Sequence, residues 1–129
     1  MNAWSHLPNA AHIDRVLESV KSHPEVWVLP RTSAWDAARD AARNAARGAA
    51  WDAAWEAAWD AAYDAAWGAA WGAARGAILA LVAYDDDAKY LGMPSDQLKI
   101  WGILSEEPAA VLLLPAVIAY EKIDELETV

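Results

Sequence analysis

From position 35 to position 78 the chain repeats every four residues, reading WDAA RDAA RNAA RGAA WDAA WEAA WDAA YDAA WGAA WGAA RGAI. The third place is Ala in all eleven tetrads and the fourth in ten, while the first is Trp, Arg or Tyr and the second Asp, Glu, Asn or Gly. Ala is the best helix former, and the run holds no Pro and no β-branched residue before Ile78, so the whole repeat is predicted to be helical. The same period denies that helix a constant face. A four-residue step overshoots one turn by about 40°, so each kind of position spirals around the axis.

Two opposed faces follow. With Trp35 at the origin, Asp36, Arg39, Asp40, Arg43, Asn44 and Arg47 fall between about 40° and 180°, leaving bare alanine opposite. Asp52, Glu56, Asp60 and Asp64 fall between about 260° and 20°, on the side that was bare. One straight helix against one neighbour cannot bury both arcs. It would also run about 75 Å, roughly twice the span of a domain this size. A break, bend or change of partner is therefore expected between Asn44 and Ala54, with Gly48 the residue suited to it.

In the last tetrads Gly68, Gly72 and Gly76 replace the acid, and Ile78, Leu79, Leu81 and Val82 follow. Between residues 65 and 84 only Arg75 is charged, which is the pattern of a central helix enclosed on all sides. The glycines, at about 1 kcal/mol each relative to Ala, imply close approach of a neighbouring backbone. The helix is expected to run on through YDDDAKYL, with Gly92 as its C′ residue and Pro94 as its stop.

The flanks are conventional by comparison. Asn9 caps a helix near residues 10–22 with Ile13, Val16, Leu17 and Val20 on one face, and His23-Pro24 ends it. Residues 25–29 form a short connector. Ser33 with Asp36 three residues on resembles a capping box at the head of the repeat. Ser95 caps a helix over residues 96–104, with Leu98 and Trp101 inward. Another follows over residues 106–120, where Pro115 is expected to kink or split it. The tail from Glu121 is expected to fray. The whole is an all-α fold of one compact domain, 1–129, comprising an N-terminal helix and connector (1–32), the tetrad repeat (33–78) and C-terminal helices (79–129).

Candidate chemistry is sparse. The aromatic run Trp51, Trp55, Trp59, Tyr63, Trp67 and Trp71 would suit a cation cage or a stacking surface. The stripe spirals by about 200° over that length, so packing is the better reading, with Trp51 and Trp55, or Trp67 and Trp71, as pairs able to share a pocket edge. Arg47–Trp51 and Trp71–Arg75 are spaced for cation–π contact. Arg39, Arg43 and Arg47 form a row that pairs with Asp36 and Asp40 across helical turns. Asp85, Asp86 and Asp87 are consecutive and point three ways, so they form an acidic cluster rather than a hard-cation cage. No zinc-type spacing, nucleophile elbow or phosphate loop occurs, and no cofactor or metal is expected.

The net charge of −9 disfavours a nucleic-acid partner, since phosphates would repel the surface. The charge is gathered late, because residues 79–129 hold ten acids against three lysines. There is no cysteine, which removes thiol chemistry and disulfides. No signal-like segment and no membrane-length apolar run is present, so the expected location is cytoplasmic.

The tetrads, then LVAYDD at 81–86 and PAAVLLLPA at 108–116, resemble a group of bacterial and phage-encoded proteins. These share Ala-rich tetrads with interspersed Trp, Arg and Asp, an LVAxDD stretch and a PAAxLLLPA ending, and the likeness covers residues 35–120. More loosely the repeat is similar to Ala-rich helical proteins described as immunity proteins. The resemblance carries no site residues. The leading expectation is a non-enzymatic protein-binding module, an inhibitor or immunity-like factor, meeting a basic protein. The alternatives are a self-assembling structural protein, or a small-ligand binder using Trp51, Trp55, Trp67 and Trp71.

Overall fold

The structure, a computed structural model, describes residues 8–28, 33–46, 60, 68–84, 87–105 and 107–127, with the main chain alone at residues 43, 45, 46, 69, 87 and 101–105. Among them are five α-helices and two 3-10 segments, and no strand, so the fold is all-α. We number the helices α1 (Ala10–Ser22), α2 (Ser33–Ala46), α3 (Gly68–Ala83), α4 (Ser95–Ser105) and α5 (Pro108–Glu127), with 3-10 turns at Pro24–Val26 and Asp87–Gly92.

Helix α1 buries Ile13, Val16 and Val20 completely, one per turn along one stripe, and lies against α3. His23 closes it, its backbone N–H bonding to the Ser19 carbonyl at 2.8 Å, and Pro24 starts the 3-10 turn. Helix α2 buries Trp35, Ala38 and Ala42 and leaves Asp36, Asp40 and Asn44 outside, as its polar arc requires. In α3 every residue from Gly72 to Val82 except Arg75 is buried. Helix α5 packs on α2, α3 and α4 and on both 3-10 turns, and buries Leu112, Leu113, Ala116, Val117, Ala119 and Tyr120. The core thus forms where α2, α3 and α5 meet.

Several local expectations need correction. The break near Gly48 lies outside the described residues, but a different one is visible. Gly68 has φ +61°, a left-handed conformation that stops a helix and is open to glycine without a Cβ clash. The repeat is therefore not one continuous helix through to Ile78. Gly76 does not admit a backbone. A Cβ there would stand 2.8 Å from Cζ2 of Trp35, 3.3 Å from its Cε2 and 3.4 Å from Cδ2 of Leu112, so the missing side chain makes the seat of an indole.

Helix α3 ends at Ala83 instead of running through YDDDAKYL, and Gly92 lies in the separate turn Asp87–Gly92. The reason is Asn9. Its main-chain carbonyl takes the Ile13 N–H at 3.0 Å and opens α1, but its side chain does not cap that helix. Its amide donates instead to the carbonyls of Leu81 at 3.0 Å and Tyr84 at 3.1 Å, satisfying acceptors left over at the end of α3.

Pro94, not Ser95, accepts the first bond of α4, from the Leu98 N–H at 2.9 Å. Pro108 is the first residue of α5, where its missing N–H loses nothing. Pro115 does not split α5, which is one helix from Pro108 to Glu127, and Pro115 itself is buried. The tail is helical rather than frayed, because Glu121 is tied to α4.

Candidate functional site

Of the residues that the sequence offers for binding, Trp51, Trp55, Trp67, Asp85 and Asp86 lie outside the described residues, as do Trp59, Tyr63 and Arg47, and of Asp87 only the main chain is described. Trp71 is partly buried against the core, with the Arg75 guanidinium 4.7 Å from its ring centre. That is the cation–π pair its spacing predicts, one turn apart on α3. In the arginine row, Arg39 lies 5.7 Å over the Trp35 ring and reaches Asp40, its chain neighbour, at 3.6 Å. For Arg39 the expected pair with Asp36 gives way to this one, the guanidinium leaning back over the indole; the side chains of Arg43 and Arg47 lie outside the described residues. Two of the three Trp residues with a described environment are wholly or almost wholly enclosed, Trp35 at 0% and Trp27 at 2% exposure, and neither offers a face to a ligand.

Two polar constellations gave no periodic signal in the sequence. The first joins α1, the first 3-10 turn and α5. Trp27 meets Tyr120 edge-on, ring centres 6.0 Å apart and planes at 86°, and its indole N–H donates to Ser19 Oγ at 3.1 Å. The Arg15 guanidinium sits 3.9 Å above the Tyr120 ring. Burial pushes the Tyr120 phenol up to about 12, against the opposing pull of Arg15, and its buried hydroxyl has no hydrogen-bond partner among the described residues. The phenol is therefore neutral across physiological pH and serves as packing.

The second constellation joins α4 to α5. The Glu121 carboxylate accepts from the Ser95 N–H at 2.9 Å and from Ser95 Oγ at 2.6 Å. These bonds hold its carboxyl below its ordinary value, in opposition to desolvation. A carboxylate here also meets the positive end of α4.

Among the described residues no group of three or more His, Cys, Asp or Glu could hold a metal ion, and no helix is long and apolar enough to cross a membrane. Among the described residues the exposed large apolar side chains are Val28, Ile100 and Leu126. Leu126 stands among exposed Asp124, Glu125 and Glu127 in the last two turns of α5. Compared with protein families, with curated proteins and with solved structures, the chain matches none.

Proposed function

We propose that this chain is a non-enzymatic protein-binding module, an inhibitor or immunity-like factor, that meets a basic partner through the acidic end of α5. The observation that carries the reading is the helix end itself. Beyond Ile123, the last side chain packed against the core, the helix keeps its form to Glu127 and presents Leu126 at 58% exposure between carboxylates. An ordered acidic helix with one apolar residue at its crest suits a basic surface, since charge steers the encounter and a small apolar contact holds it. The excess of seven negative charges in residues 79–129 extends the same field. Trp27 and Trp35 are enclosed in the core and Trp71 is partly buried against it, so these three rings serve packing before ligand binding.

The test is co-purification of the intact chain from its own cells, alongside the variant Asp124→Lys/Glu125→Lys/Glu127→Lys. A stoichiometric basic partner should be retained by the native chain and lost by the variant. Its association rate should fall about tenfold or more as salt is raised through the physiological range. Recovery of the same partner by both chains, with no dependence on salt, would contradict the proposal.

A further inference from the structure

Among the described elements helix α4 packs chiefly on α5, and its first two turns are held there by few groups. Of residues 95–100 Leu98 alone is buried, at 0% exposure. Ser95 is half-buried, and Asp96, Gln97, Lys99 and Ile100 are exposed. The chain leading into the helix also lies outside. Gly92 and Pro94 are exposed, and a Cβ at Gly92 would meet nothing within 4 Å, whereas Tyr90 just before them is buried. The first N–H groups of a helix have no acceptor within it. Glu121 of α5 supplies one, accepting from the Ser95 N–H at 2.9 Å and from Ser95 Oγ at 2.6 Å. One apolar side chain and one bidentate carboxylate therefore hold this end of α4.

We propose that the Ser95 end of α4 is a flap on α5, with the Ser95–Glu121 contact as its latch, and that it opens about Gly92 while α1, α3 and α5 stay folded. Opening exposes one Leu and gives up two hydrogen bonds. Opening α3, where every residue from Gly72 to Val82 except Arg75 is buried, exposes the core itself, so the two events differ widely in cost and in surface exposed. The open flap also returns the Glu121 carboxylate to the side of α5 that carries Asp124 and Glu125, three and four residues on. The latch thereby sets how much negative charge that side presents. The flap is a property of the chain alone and stands whether or not a basic partner exists.

The experiment is amide hydrogen exchange of the full chain in water and in urea too dilute to unfold it. In the native chain the amides of Leu98, Lys99 and Ile100 should exchange faster than those of residues 78–82, and with a weaker dependence on urea, because a local opening exposes little surface. Glu121→Ala should quicken exchange at residues 98–100 by about fivefold, the scale of a lost helix cap. Ser95→Ala, which removes one of the two bonds, should quicken it by less, and should add nothing once Glu121 is already Ala, since the two side chains act through one contact. Exchange at residues 98–100 with the rate and urea dependence of residues 78–82 would mean that α4 opens only with the whole fold, and overturns the inference. Unchanged exchange at residues 98–100 in Glu121→Ala, or full additivity of the two substitutions, overturns the latch.

Discussion

Tyr120 keeps its ring in the core and its hydroxyl without a partner among the described residues, and a buried hydroxyl in that state is a net liability. Tyr120→Phe should therefore raise stability, by about 1 kcal/mol, in thermal melting near neutral pH. The raised phenol pKa of about 12 gives the same pair of proteins an alkaline signature. The unfolded chain releases this proton first, so the native protein loses stability relative to Tyr120→Phe as pH climbs from the ordinary tyrosine value, about 10, toward the folded one. Glu121 has the opposite sign. Its folded pKa is lowered, so its contribution is present above the unfolded carboxylate value and disappears as pH falls through the folded one. Glu121→Ala should cost about 1 kcal/mol near neutral pH, the scale of a lost helix cap partly screened by solvent, and the difference from the native chain should shrink on acidification. Neither residue was legible from pattern. Glu121 is 26 positions from Ser95, and nothing in the local sequence distinguishes it from the charged residues beside it.

At the scale of elements, what could be read was what local periodicity dictates. Ile13, Val16 and Val20 recur at helical spacing and are buried together, His23-Pro24 ends α1, and α3 is apolar around its whole circumference because its sequence offers Arg75 as its lone charge. The ends of elements were less legible, because distant groups decide them. The termination of α3 depends on the Asn9 amide, 72 positions from Leu81 and 75 from Tyr84. Helix propensity alone would carry α3 through Ala83 into the acidic run. The persistence of α5 through Pro115 likewise depends on the packing of its neighbours rather than on its own sequence. Asn9→Ala should leave the buried Leu81 carbonyl unpaired and cost about 1–3 kcal/mol. Amide exchange should locate that loss in α1 and the last turn of α3, and protection unchanged in both would contradict the link.

For the whole molecule, the repeat works as packing material whose meaning depends on where each tetrad falls. Helices α2, α3 and α5 each contribute to one joint, an indole from the first, a missing side chain from the second and a Leu methyl from the third. The sequence shows the glycine and the tryptophan but not that they belong together, since 41 positions of near-uniform repeat separate them and every tetrad offers a similar choice. This joint, rather than helix propensity, decides what position 76 must be. Thermal melting of Gly76→Ala tests it most directly, because two effects of opposite sign compete. Propensity would stabilise the helix by about 1 kcal/mol, whereas a methyl 2.8 Å from a rigid, fully buried indole must displace the ring, and overpacking of this kind costs about 1–3 kcal/mol. The joint predicts a lower melting temperature for Gly76→Ala, with cooperative unfolding retained; an unchanged or higher one would contradict it.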